Sequence, residues 1–83
     1  MLYLIDGHNL IPLIPGLSLR VMDDEQRLLE LLLAHKRGFK GVFEVFFDGA
    51  QPGFSGRKKF GNIVVHFVQK GRTADEAIRL RLS

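Results

Sequence analysis

The 83-residue chain contains no cysteine, so no disulfide framework holds it together and no thiolate is available to ligate zinc. It has no apolar run approaching the roughly 20 residues that a membrane-crossing helix needs. The first residues, MLYLID, meet an acid at position 6 without a basic segment or a small-residue cleavage site. That pattern is not a signal peptide, no membrane association is expected, and a cytoplasmic location is the default. No internal repeat, low-complexity tract or internal domain boundary interrupts the chain. There is no GxGxxG after the first apolar run and no GxxxxGK[ST] anywhere, which removes the dinucleotide fingerprint and the P-loop. The three histidines, His8, His35 and His66, show no metal-ligand spacing.

What remains is a core-forming composition. Hydrophobic residues make up 46% of the chain and seven residues are phenylalanine, too apolar for a disordered tail. The length fits one small domain over residues 1–83, which on folding buries only about 60% of the surface its unfolded chain exposes. The net charge of +3 hides an asymmetry. Residues 1–56 hold five Lys/Arg against seven Asp/Glu, whereas residues 57–83 hold seven against two. A basic half of this kind is either a solvated face or an electrostatic footprint for a polyphosphate such as RNA or DNA.

Residues 2–5 (LYLI) form a short apolar run bounded by Asp6-Gly7, which suits a buried strand. Residues 11–22 (IPLIPGLSLRVM) carry two prolines and a glycine and cannot form one regular element, so a loop with at most a helical turn is expected. Asp23, Asp24 and Glu25 then set negative charge at the positive end of a helix dipole. Five leucines follow between positions 28 and 33, and His35, Lys36 and Arg37 close the helix before Gly38. The leucines spread beyond a narrow stripe, as in a helix buried in a core or one supplying an interface; core packing is the expectation. Residues 42–47 (VFEVFF) end in Asp48-Gly49 and read as a second strand, internal to a parallel sheet. Strand, helix and strand make a βαβ unit with a right-handed crossover. Residues 51–61 (QPGFSGRKKFG) read as a glycine-rich basic loop, 63–68 (IVVHFV) as a third strand, and a last helix begins near Thr73. The expected fold is α/β, three layers in the order α/β/α, on a mostly parallel sheet of about three strands with two main helices.

The acids fall in a shared register. Asp6 ends the first strand, Asp48 ends the second, and Asp75 and Glu76 open the helix after the third. The carboxyl ends of parallel strands lie along one edge, where ligands bind. Carboxylates gathered there need a proton or a cation to resolve their repulsion. Oxygen ligands without thiolates favour Mg²⁺ or Mn²⁺, ions that orient a water and stabilise the charge of a phosphodiester transition state.

Each acid also has a plain structural use. Asp6-Gly7 fits turn chemistry, and Asp48-Gly49 is a hairpin signal, although no strand follows within two residues. Thr73-Ala-Asp-Glu76 fits a capping box, with Glu76 reaching back to Thr73. Glu76 therefore serves the cap at least as well as a site, while Asp75 has no capping task. At the same mouth, Asn9 either braces the loop or positions Asp6, and His8 is either an exposed loop side chain or a contact to a base or phosphate. His66, inside an apolar strand, reads as a satisfied side chain, and His35 suits the end of its helix. Arg57, Lys58 and Lys59 share their segment with Phe54 and Phe60, the mixture that single-stranded nucleic-acid surfaces use. The alternative places Phe60 in the core and leaves the charges solvated.

With LIDGHN, VFFDG and TADE in that order, the chain resembles the NYN branch of the PIN-like nucleases, and within it the YacP-like bacterial ribonucleases, over residues 1–83. The resemblance implies a PIN-like fold and a Mg²⁺- or Mn²⁺-dependent endoribonuclease that cleaves RNA at an acidic cluster. By position, Asp6, Asp48 and Asp75 match the family's metal-binding catalytic acids, Asn9 matches the asparagine of the first motif, and Arg27 matches an arginine of the first helix. Arg57, Lys58, Lys59 and Arg72 are then the candidates for holding the RNA backbone, with His8 and Asn9 beside them. The family more often has tyrosine at the position of His8. Family members also continue through a further strand that ends in Thr-Ser-Asp. The expectation is therefore a truncated version of the fold, standing as a fragment, completed by a second chain, or no longer catalytic. A non-catalytic RNA-binding or assembly module on the same scaffold is the alternative, and an open sheet edge with a leucine-rich helix favours a homo-oligomer.

Overall fold

The computed structural model describes residues 2–14, 24–35, 41–51 and 53–83. Strand β1 spans Leu2–Asp6 and leads directly into α1, a single turn over Gly7–Leu10 that continues as a 3-10 turn over Ile11–Leu13. Helix α2 covers Asp24–His35, β2 Val42–Ala50, β3 Gly56–Phe60, β4 Ile63–Gln69 and α3 Ala74–Leu82. The strands make one sheet in the order β1-β2-β4-β3. β1 and β4 both run parallel to β2, and β3 lies antiparallel to β4 at the edge. The described residues thus form an α/β fold with a four-stranded, mostly parallel sheet and three α-helices.

Side chains alternate across a strand, and the sheet uses both faces. On one face Phe43, Val45 and Phe47 of β2 meet Ile63 and Val65 of β4, covered by Leu28 and Leu29 of α2 and by Ile11. Tyr3, Ile5, Leu32, Leu33, Phe60 and Phe67 pack around this cluster. The other face carries Glu44, Phe46 and His66, and α3 lies there, with Arg81 reaching Glu44. The leucines of α2 serve the core, as expected, apart from Leu31, which is exposed. The acids expected at the start of α2 include Asp23, which lies outside the described residues, as do Lys36, Arg37 and Gly38. No helix among the described residues is long and apolar enough to cross a membrane.

Two elements differ from the sequence expectation. The basic segment expected to be a loop contains a strand, β3, so the sheet has four strands rather than three. Its side chains supply no apolar signal, because four of its five residues are exposed; the strand forms through backbone pairing with β4. The hairpin closes through Gly61 and Asn62, with Gly61 at φ 60 and no positive φ at Asn62, the pattern of a type II′ turn. The second difference is at Asp48, which does not end its strand. β2 continues to Ala50 past an irregularity: Phe47 pairs with Phe67 but Ala50 with Gln69, so β2 carries one extra residue. The extra residue falls at Asp48-Gly49, with Gly49 at φ 81. Bulges of this kind re-aim side chains at the end of a sheet.

Candidate functional site

The site builds outward from the end of β1. Asp6 caps α1, its Oδ1 accepting the Asn9 N–H at 3.4 Å and its Oδ2 accepting from Asn9 Nδ2 at 3.0 Å. Asn9 thereby holds Asp6, one of the two roles its sequence position allowed. The next residue must be glycine, because a Cβ at Gly7 would stand 2.2 Å from Cε1 of the buried Phe47 ring. The close approach sets α1 directly on β2 and brings His8 over Phe47, with ring centroids 5.2 Å apart.

His8 is the centre of the arrangement. Its Nδ1 lies 2.9 Å from Asp48 Oδ1 and its Nε2 lies 2.5 Å from Glu25 Oε2. An ionised carboxylate only accepts, so an imidazole bonded to two of them donates from both nitrogens and is the imidazolium. Burial pushes the His8 pKa down, but the hydrogen bonds and charges of Asp48 and Glu25 outweigh it and hold the pKa above the ordinary histidine value. Asp48 shifts the opposite way. The His8 hydrogen bond, aided by the backbone N–H of Ala74, overcomes partial burial and holds its carboxyl below the usual range. Ala74 is the first residue of α3, and its N–H donates to Asp48 Oδ2 at 3.2 Å. Asp48 therefore joins α1 to the positive end of the α3 dipole.

Asp6 thus ends β1, and Asp48 stands at the irregularity two residues before the end of the adjacent parallel strand β2. Asp75 also lies at this edge by position, on the first turn of α3, but its carboxylate pairs with Arg79 at 3.1 Å on an exposed surface. Glu76 completes the capping box: its carboxylate accepts from the Thr73 N–H at 3.2 Å, and Thr73 Oγ1 accepts from the Glu76 N–H at 3.1 Å. Among the described residues no group of three or more His, Asp or Glu side chains stands in an arrangement that could hold a metal ion. The donor set still suits a hard cation in kind, since Asp6 and Asp48 offer only oxygen.

The basic residues divide between two faces, because β3 is a strand. Arg57 pairs with His66, Lys58 with Val65 and Lys59 with Val64. Lys58 therefore shares the face of the α2 core, its Nζ 5.7 Å from the centroid of the Phe67 ring. Arg57 and Lys59 share the α3 face, where Arg57 lines a groove with His66 and Arg81. Arg72 is exposed just before α3, its backbone N–H bonded to the Gln69 carbonyl at 3.1 Å. Arg27 is exposed on α2.

Compared with protein-family models, curated proteins and solved structures, the chain matches none.

Two acids escaped the sequence reading. Glu25, by its place at the start of α2 a partner of the helix dipole, in fact holds His8. Glu44, 4% exposed, accepts from His66 Nε2 at 2.7 Å and from Arg81 Nε and a terminal guanidinium nitrogen at 3.0 Å each. The Arg81 hydrogen bond, against the opposing effect of burial, and the His66 bond keep its carboxyl below the usual range. The lone acid within VFEVFF was the available signal, since a buried carboxylate requires partners. His66 is the satisfied side chain that its strand context suggested, bonded to Glu44 and stacked on Phe46 at 4.3 Å. The signal for Glu25 was weaker, because nothing local links it to His8 seventeen positions earlier.

Proposed function

We propose that this chain is a PIN-like protein of the NYN, YacP-like kind that cleaves single-stranded RNA with the help of Mg²⁺ or Mn²⁺. The observation that carries the reading is the placing of Asp6 at the end of β1 and of Asp48 two residues beyond its partner Phe46 on the adjacent parallel strand, with the N-terminus of α3 donating to Asp48. That edge is where open α/β sheets bind ligands. Asp6 and Asp48 would hold the ion, with Asp75 of the neighbouring helix turn as the third acid. A bound divalent ion supplies positive charge to the phosphoryl oxygens and a more acidic water.

The chain's own residues do the rest. Asn9 fixes Asp6 through its amide. The His8 hydrogen bond holds the Asp48 pKa below its ordinary value, and the His8 ring and the Ala74 N–H fix the carboxylate in place. Arg57, Lys58, Lys59 and Arg72 supply the charge that draws a polyphosphate in, and binding through such contacts falls as salt rises. The test is incubation of the purified protein with single-stranded RNA and Mn²⁺, beside an Asp6→Asn/Asp48→Asn variant. Cleavage should appear with the ion, stop with EDTA and be lost in the variant. Cleavage that persists in the variant would sink the assignment.

A second reading is favoured by one observation. Asp75 pairs with Arg79 and both Asp48 oxygens already have partners, so no three-acid group is assembled among the described residues. On that reading the chain is an RNA-binding or assembly module without catalysis, possessing salt-sensitive affinity that needs no metal. Turnover that depends on Mn²⁺ excludes it.

A further inference from the structure

The turn between β2 and β3 presents an aromatic ring that the core does not use. Of the two phenylalanines that flank the basic run, Phe60 packs against the core cluster, but Phe54 is 71% exposed. Its backbone is fixed by the Phe54 N–H donating to the Gln51 carbonyl at 2.9 Å. A single exposed phenylalanine is ordinary on a protein surface; the surroundings of this one are not. Phe54 lines an open pocket of about 270 Å³ together with Glu25, Ala50, Lys58 and Phe67.

Three features of that pocket point to one kind of ligand. Its aromatic members are Phe54 and the half-buried Phe67, and the Lys58 ammonium lies over the Phe67 ring. Its wall includes a carboxylate, Glu25, able to accept from N–H groups. It also connects with the acid edge through packed rings: Phe67 stacks on Phe47 at 5.9 Å, Phe47 meets His8 at 5.2 Å, and His8 bonds Asp48. Glu25 itself bonds the other nitrogen of His8. A flat aromatic ligand with N–H donors on its edge and an anionic tail satisfies all of these groups at once. Its volume is just under the roughly 300–1,000 Å³ of pockets that hold whole small molecules, which suits one nucleobase rather than two.

We propose that this pocket is a base-binding subsite for single-stranded RNA, in which one unpaired base stacks on Phe54 within a wall that includes Phe67, while Lys58 contacts the adjoining phosphate. The assignment rests on reading the chain as RNA-acting and adds where the strand is held beside the acids. Base–aromatic stacking tolerates any sequence because every base has a π-face. The subsite therefore selects single strands over duplexes without selecting sequence, since a paired base is already stacked within its helix.

The chain contains no tryptophan, so Phe54→Trp installs a single indole as a reporter on an exposed turn. Titrations run in EDTA keep the RNA intact, with binding followed independently by the anisotropy of a labelled oligoribonucleotide. Single-stranded RNA should quench the indole to saturation and a duplex of equal length should not. Phe54→Ala should weaken affinity by about 5- to 150-fold, the range that loss of one stacked base implies. Lys58→Gln should lower the slope of log affinity against log salt by about 0.7, the share of one phosphate contact on a single strand. Binding with unmoved indole emission and an unchanged affinity in Phe54→Ala overturns the subsite and leaves the RNA reading standing. Absence of any RNA binding overturns both. Self-association without RNA that Phe54→Ala abolishes assigns the ring to a protein contact and likewise overturns the subsite.

Discussion

Gly7→Ala is the smallest change that tests how the site is built. A Cβ there would lie 2.2, 2.6 and 2.9 Å from three carbons of the Phe47 ring, whereas carbon atoms rest about 3.5–4.0 Å apart. Either the ring or the first turn of α1 must therefore move by more than 1 Å, by that same measure. The ring has little room, being 1% exposed, stacked on Phe67 and in tilted contact with His8. Overpacking of this kind costs about 1–3 kcal/mol. Alanine's better helix propensity offsets less than the roughly 1 kcal/mol that separates it from glycine in a helix interior, because Gly7 opens its helix. In a domain of this size each kcal/mol moves the midpoint by about 4–8 °C, so thermal denaturation should show a fall of several degrees or more. Urea titration gives the free energy directly. Phe47→Leu removes the obstructing ring, so the double variant Gly7→Ala/Phe47→Leu should be more stable than the two single effects predict, with a coupling of about 1 kcal/mol or more. A Gly7→Ala protein as stable as the parent, or two effects that simply add, would refute the close approach of α1 to β2.

Three further outcomes follow from the surroundings of His8 and from the α3 cap. His8 has a folded pKa above its ordinary 6.5, so its contribution is complete below pH 6.5 and is lost as pH rises through the folded value. Asp48 has a folded pKa below its ordinary 3.8, so its contribution is present above that value and is lost as pH falls through the folded one. The stability difference between the parent and His8→Gln should therefore be widest between pH 3.8 and 6.5 and shrink above neutrality, as read by urea titration at several pH values; a difference that grows above pH 7 contradicts the imidazolium. Thr73→Ala should cost about 1 kcal/mol through loss of the α3 cap, while Glu76→Gln, which keeps a capping box, should leave both stability and RNA cleavage near the parent values. A large loss of cleavage in Glu76→Gln would move that acid from the cap to the site.

The parts of the fold that announce themselves do so through contrast along the chain. Residues 42–47 and 63–68 are apolar runs between turn residues, and they appear within β2 and β4. Thr73 and Glu76 spell a cap in four residues, and the cap is formed. β3 was legible only through its turn: Phe60 and Ile63 are separated by Gly-Asn, a two-residue hairpin signal, but RKKF lacks the apolar alternation that marks a strand. A charged edge strand of this sort discourages further pairing, and its charges are what conceal it. At the site, Asp6 and Asp48 were visible from their places after apolar runs. The partnership of His8 with Glu25 was not, because α2 reaches that position only through packing.

Local pattern alone determined the types of β1, β2, β4, α2 and α3, the placing of Asp6 near the sheet edge, and the basic character of the second half of the chain. Those properties belong to short stretches of backbone and side chain, whose preferences act over a few residues. Tertiary structure alone decided that Asp48 sits at an irregularity rather than a strand end. It also decided that Lys58 parts from Arg57 and Lys59, and that the buried Glu44 pairs with the exposed Arg81 thirty-seven positions away. Each depends on which face a strand presents and what lies across it, and a one-residue change of register exchanges those faces.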